Sequence, residues 1–234
     1  MSHKIGVLSD IHGNDIALKV ALQRLRNEGV DSLFVLGDLV GYYYKADVVI
    51  DLLSSWDCQV IAGNHERLLI DYVRGSQELR DELTAKYGSS FELISGDTRL
   101  IKYIEDLPET LTMTEKGKRV LLSHGSPWDR DLYLYPDNVF DHSDLVADVD
   151  ADIILVGHTH YPMVCEIGSK MVINPGSVGQ SRLSGGIANW GDLTFTDSNF
   201  AYEPRSDRFE VGQLVLQADE IDPELSYLSK VLKR

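Results

Sequence analysis

Five short polar clusters in this chain, each closing an apolar run, collect side chains that hold metals and move protons. They read Asp10-Ile11-His12-Gly13-Asn14, Gly37-Asp38, Gly63-Asn64-His65-Glu66, Ser123-His124-Gly125 and Gly157-His158-Thr159-His160. Five of the seven histidines lie in them. Carboxylates, imidazoles and a carboxamide oxygen form a hard-to-borderline ligand set without thiolate, suited to Mn, Fe, Co, Ni or Zn. A carboxylate such as Asp38 can bridge two cations and hold them roughly 3.5–4 Å apart, the separation used in two-metal hydrolysis. Asp10 and His12 are two residues apart, so an extended turn can aim both at one ion, and His158 and His160 repeat that spacing. Singly, each cluster reads as a turn or a satisfied core histidine. The recurrence of strand, turn and ligand, five times in order, argues for a metal centre. Gly125-Ser126-Pro127 lacks the flanking pattern of a nucleophile elbow, so the expected nucleophile is water.

Elements must carry these clusters to one place. Residues 4–9, 32–36 and 59–62 read as strands. Between them, 14–28 has a helical apolar period (Ile16, Val20, Leu22, Leu25) ended by Gly29, and 46–54 is amphipathic. Such βαβαβ alternation predicts a buried parallel sheet, whose ligands gather beyond the carboxyl ends of the strands, where the clusters fall. Residues 67–108 are charged, helix-forming and interrupted by Gly75, Gly88 and Gly96; they read as a helical, cap-like segment over one edge or the active face. Strands resume at 119–123, 153–156 and 170–173, with a helix expected over 141–149. Hairpin-like strands are expected at 193–196 and 209–216, and a short helix from Pro223. The whole chain, 1–234, reads as one domain.

Composition narrows the function. With 234 residues, 43% hydrophobic and 25% charged, the chain resembles an ordinary globular protein large enough to bury a core. No apolar run approaches membrane-spanning length, so no membrane partner is expected. Met1-Ser2-His3-Lys4 passes straight into a strand, which reads as a cytoplasmic protein without a signal peptide. Cys58 and Cys165 have no CxxC partner and read as semi-buried thiols. The 37 acidic against 22 basic residues give a net charge of −15, which disfavours long nucleic acid. A small phosphorylated substrate, possibly a nucleotide, stays compatible, because bound cations invert the local field. Oligomeric state is not legible.

The set DxHGN, GD, GNHE, SHG and GHTH resembles the calcineurin-like metallophosphoesterase superfamily. Asn174-Pro175-Gly176-Ser177-Val178-Gly179-Gln180 resembles its smaller prokaryotic phosphodiesterase and diadenosine-tetraphosphatase-related branch. The resemblance runs from about Lys4 to Arg182. It implies a four-layer αββα sandwich of two mixed sheets flanked by helices. It also implies two divalent ions, one held by Asp10, His12, Asp38 and His160, the other by Asp38, Asn64, His124 and His158. A metal-bridging hydroxide would attack, with His65 as general acid. The most fitting activity is a phosphodiesterase. Alternatives are a phosphomonoesterase, a protein phosphatase, or a non-catalytic scaffold of the same fold.

One stretch departs from the family. Where many relatives read GDxxDRG, this chain reads Gly37-Asp38-Leu39-Val40-Gly41-Tyr42-Tyr43. The Asp that could orient the acid histidine and the phosphate-clamping Arg are both missing. That weakens the protein-phosphatase reading and leaves His65 without an identified partner. Arg182 is a candidate clamp, and Asn14 and Tyr42 are further candidate substrate contacts. Tyr42-Tyr43-Tyr44 reads either as a base-stacking wall or as a core cluster. The segment 128–135, with Trp128, Tyr133 and Tyr135, reads either as a substrate contact or as a packed loop.

Overall fold

The computed structural model describes residues 3–197 and 199–234. In chain order, β1 (His3–Leu8), α1 (Asp15–Asn27), β2 (Ser32–Val35), α2 (Ala46–Leu53) and β3 (Asp57–Val60) alternate. Four helices follow: α3 (Asn64–Arg74), α4 (Gln77–Tyr87), α5 (Ser90–Ile94) and α6 (Thr98–Glu105). The second half holds β4 (Thr110–Glu115), β5 (Lys118–Ser123), α7 (Ser143–Asp148), β6 (Ile153–Leu155), β7 (Met163–Ile167) and β8 (Lys170–Asn174). It ends with β9 (Ile187–Phe195), β10 (Phe200–Arg208), α8 (Gly212–Ile221) and α9 (Tyr227–Leu232).

The strands form two five-stranded mixed sheets, ordered β10-β9-β1-β2-β3 and β4-β5-β6-β8-β7. β1, β2 and β3 are parallel, as are β5, β6 and β8, with antiparallel partners outside them. Strand period two decides which side chain enters which layer. Ile5, Val7, Phe34 and Leu193 of one sheet meet Val120, Leu122, Ile153 and Ile173 of the other, forming the core between them. The alternate residues Leu8, Leu33 and Val35 face α1 and α2. Ile154 and Val172 face Val146 of α7 on the opposite outer side. This is the expected αββα sandwich.

Local chemistry accounts for the first crossover. The Asn14 side chain accepts the Ala17 N–H at 3.0 Å and caps α1. Asp15 in its first turn and Arg24 and Arg26 in its last complement the helix dipole. Residues 67–108 are helical as expected.

Five expectations change. β9 begins at Ile187, six residues before the expected 193–196, and the tail helix begins at Tyr227 and not at Pro223. β3 begins two residues before the expected 59–62. The helix expected over 141–149 is a 3-10 turn, Val139–His142, followed by the shorter α7. Residues 209–216 are not a strand: Leu214, Val215 and Ala218 are the buried face of α8, while Leu216 is 70% exposed. The apparent alternation there was a helical face sampled over too few residues. The second hairpin strand is instead β10, whose exposed, charged sequence with Pro204 suits the sheet edge it occupies. Among the described residues, no helix is long and apolar enough to cross a membrane. Cys58 and Cys165 are free and half-buried.

Candidate metal centre

Asp10 and His12 follow β1, Asp38 follows β2, and Asn64 and His65 open α3 after β3. From the second sheet, His124 follows β5, and His158 and His160 follow β6. The parallel strands all deliver their carboxyl ends to one edge of the sandwich, which is how five distant clusters meet. The turns are strained. Seven non-glycine residues with left-handed backbone occur among the described residues, and Asp10, His12, Asp38, His158 and His160 are five of them, with φ of 53°, 53°, 53°, 68° and 60°. Such conformations persist where surrounding structure enforces them, commonly at functional sites. Here the stretch 174–180 does the enforcing. The Val178 N–H donates to the Ser9 carbonyl and the Gly179 N–H to the Asp10 carbonyl, both at 3.0 Å. The Ser177 hydroxyl donates to the Asp10 carbonyl at 2.7 Å. Gly179 is required by close approach: a Cβ there would lie 1.9 Å from the Ile11 carbonyl oxygen.

The side chains converge in two groups that share Asp38. One is Asp10, His12, Asp38 and His160; the other is Asp38, His124 and His158. All are buried. His160 Nε2 lies 3.2 Å from Asp10 Oδ1, and His12 Nε2 lies 3.7 Å from Asp38 Oδ2. His124 Nε2 lies 3.2 Å from Asp38 Oδ2 and 3.0 Å from Asn64 Oδ1, which brings the carboxamide to the second group. The two-residue spacing thus aims Asp10 and His12 together but sends His158 and His160 to different groups.

Three of the histidines have a fixed tautomer. Nδ1 of His12, His124 and His160 donates to the carbonyls of Val40, Leu36 and Gln180 at 3.0, 2.6 and 2.8 Å. Carbonyls only accept, so each neutral ring presents an Nε2 lone pair to the centre, as in metal-ligating histidines. His12 Nε2 and His160 Nε2 then face each other at 3.0 Å, two acceptors with only a positive charge to reconcile them. Asp10 Oδ1 and His158 Nε2 are buried without a hydrogen-bond partner. The donor set therefore fits divalent cations.

The electrostatics point the same way. Burial works to raise the Asp10 carboxyl, but His160 and His124 outweigh it and bring the group down to about 2. Burial works to lower His124, but the Asp38 carboxylate outweighs it and pushes the imidazole up to about 10. Two buried carboxylates thus draw in whatever positive charge is present.

His65 stands beside these groups. Its backbone N–H donates to Asp38 Oδ1 at 2.8 Å, and its ring packs near Tyr42, Tyr87 and Phe91 at 4.7, 5.0 and 6.1 Å between centroids. Burial brings its imidazole down to about 4, against the pull of Asp38. Nδ1 is buried without a partner. Gly41 lies directly against that nitrogen. Glu66, whose role was not apparent in the sequence, clamps the loops together. It accepts the N–H groups of Asp38, Leu39, Val40 and Gly63 at 2.8, 2.8, 3.2 and 2.6 Å. Burial and the Asp38 charge push its carboxyl up to about 7, opposed by those donors.

A cavity of about 560 Å³ opens at His124, lined also by Asn64, Trp128 and Arg130. Two more flank the centre. One, of about 420 Å³, is lined by Asp38, Tyr42, His65, Tyr135, Arg182 and Arg234 among others. The other, of about 610 Å³, runs between α3, α6 and the segment around Arg130. Asn64, Tyr133 and His158 line both. Tyr42 therefore faces the site while Tyr43 and Tyr44 are buried in the core, so the tyrosine run divides between its two readings. Tyr133 stacks on His158 with centroids 3.9 Å apart. Asn14 is a correction. It is fully buried, its amide oxygen caps α1, and its Nδ2 donates to the Gly179 carbonyl at 2.9 Å, so both ends of the side chain are committed to the turn. Arg234 gave no signal in the sequence; only folding of the last helix brings it to the cavity.

Residues 3–189 match the calcineurin-like phosphoesterase superfamily domain, and the chain belongs to that superfamily. It is 33% identical over 222 residues to an uncharacterised protein of Methanocaldococcus jannaschii, covering 85% of each. Its fold is shared with a hypothetical protein of Pyrococcus horikoshii, at a TM-score of 0.78 and 20% identity over 99% of this chain and 98% of that one. It is also shared with a metallophosphoesterase of Sphaerobacter thermophilus, at a TM-score of 0.74 and 23% identity over 98% of each chain.

Proposed function

We propose that the protein is a two-metal phosphodiesterase acting on a small phosphorylated substrate. The observation that carries this reading is the pair of buried ligand groups joined at Asp38, with His65 beside them. Asp10, His12, Asp38 and His160 would hold one ion, and Asp38, Asn64, His124 and His158 the other. The ions, of the Mn, Fe, Co, Ni or Zn type, would supply Lewis acidity toward the phosphoryl oxygens and activate water at neutral pH. The chain supplies the rest. Carbonyl-anchored imidazoles keep the ligand lone pairs aimed inward. Glu66 holds the Asp38 loop against the His65 helix. His65 lines the cavity where the departing oxygen would lie and donates a proton to it. An anionic phosphate entering beside His65 favours its protonated form.

A diester suits the site better than a monoester because a cavity opens on each side of Asn64 and His158, so both substituents find room. The missing Asp and Arg after Asp38 speak against a protein phosphatase, and the net charge of −15 against long nucleic acid. The deciding experiment is metal analysis of the purified protein, joined to turnover of chromogenic mono- and diesters with added Mn, Co, Ni or Zn. Bound metal and a diester preference are expected. No metal and no turnover under any of these ions would overturn the reading. His65→Ala should cut turnover by more than about tenfold with metal content nearly unchanged; unchanged turnover would remove His65 from the mechanism.

A further inference from the structure

The two cavities that meet at Asn64, Tyr133 and His158 differ in charge. In the larger one, Arg67 pairs with Asp131, Arg74 with Glu105 and Arg130 with Glu109. Every arginine there is neutralised, and Asp71 is left over on the wall. An anionic group would gain nothing from entering it. In the smaller cavity, Arg182 and Arg234 form no side-chain ion pair among the described residues, and Asp38 is the one acidic side chain on the wall. Arg182 lines this space. Burial raises the phenols of Tyr42, Tyr133 and Tyr227, and the Arg182 charge acts on all three in the opposite direction.

The scissile phosphate does not account for these arginines. Two divalent ions over the carboxylates Asp10 and Asp38 would already balance a singly charged diester, even with the attacking hydroxide counted. Two further arginines on the wall of a cavity that also holds Tyr42, Tyr135 and Tyr161 call for another anion on the substrate, beside a flat apolar group. We infer that the substrate is an asymmetric phosphodiester: its arm in the smaller cavity bears a second phosphate or equivalent anion next to an aromatic ring, and its arm in the larger cavity is uncharged. This rests on the phosphodiesterase reading and adds the substrate class and the residues, Arg182 and Arg234, that select it.

The test compares two nitrophenyl diesters of thymidine monophosphate, identical except that one carries an additional phosphate on the sugar. For the wild-type protein, kcat/KM is expected to be about tenfold higher with the additional phosphate. Arg182→Ala and Arg234→Ala should each reduce that ratio, and the double variant should bring it near unity. A wild-type ratio near unity overturns the inference. So does an equal fall on both substrates in the variants, which would make the arginines a clamp on the scissile phosphate. If neither ester is cleaved, the phosphodiesterase reading fails separately. Calorimetric titration of inorganic pyrophosphate then decides: affinity about tenfold weaker in the double variant supports the anion site, and unchanged affinity refutes it.

Discussion

A Cβ placed on Gly41 would lie 2.1 Å from His65 Nδ1. Gly41 also has φ of 87°, so the position is reserved for glycine by space and by backbone together. The imidazole occupies the volume into which an orienting carboxylate would otherwise project, and aromatic rings of Tyr42, Tyr87 and Phe91 hold it instead. Restoring the GDxxD pattern by Gly41→Asp should therefore not improve the enzyme. It should displace His65 and lower turnover by about tenfold or more while metal content stays nearly constant. Steady-state kinetics with metal analysis reads this; higher turnover would show that the ring has room to accept a carboxylate partner.

Glu66 leads to a prediction about stability. Four backbone N–H groups converge on its carboxylate, and a glutamine would turn an NH₂ toward donors. Glu66→Gln should cost about 1–3 kcal/mol, the scale of leaving a buried backbone donor without its acceptor. Because the same bonds fix the Asp38 loop, metal affinity should fall too. Denaturant unfolding and metal titration measure the two effects, and a loss below about 1 kcal/mol would make the clamp incidental.

Asp38 is the residue both ligand groups share. On the proposed two-metal reading, Asp38→Asn removes the charge common to both groups, so the bound metal should drop from two ions per chain to at most one. Elemental analysis after dialysis reads the loss, and two ions retained would refute it; His158→Ala, a change in one group alone, should spare the group containing Asp10, His12 and His160.

Much of this site was legible because ligand chemistry is local. A carboxylate or imidazole after a strand end keeps its meaning wherever the chain folds, and parallel strands bring those ends together. The βαβαβ start was legible for a similar reason, since buried strands and amphipathic helices have distinct periods. What escaped depended on tertiary context. β10 is polar because it lies at an edge, so it lacked a strand's apolar signature. Glu66 looked like an ordinary first-turn acid, since backbone N–H groups from another loop leave no trace in sequence. Asn14 looked like a polar contact because its type suits both a cap and a ligand, and only its burial decides. Arg234 joins the cavity through the packing of α9, where Tyr43 donates to the Leu228 carbonyl at 3.1 Å.

Metal removal should be felt in stability as well as in activity. Without cations, Asp10 Oδ1 and His158 Nε2 are buried without partners, and two imidazole lone pairs oppose each other. Ions that bind only the folded chain add about 2.7 kcal/mol at a hundredfold excess over Kd. For a chain of this size that corresponds to a rise in Tm of about 5–10 °C. Thermal unfolding of chelated protein with and without added Mn reads the shift, and an unchanged Tm would mean that the centre is not formed by metal binding.

Tyr133 separates packing from hydrogen bonding at the second group. Its ring lies on His158 at 3.9 Å between centroids, with 26° between planes, although the residue is 46% exposed. His158 is the ligand whose Nε2 has no partner, so Tyr133 is what restrains its ring on the open side. Stacking of this kind contributes roughly 0.5–1.5 kcal/mol, a factor of about two to ten in an equilibrium. Tyr133→Ala should weaken binding of the second ion by about that factor and leave the first unchanged, whereas Tyr133→Phe keeps the ring and should preserve both. Calorimetric metal titration resolves the two sites. Equal loss in the Phe variant would mean that the hydroxyl, and not the stacked face, is the part that matters.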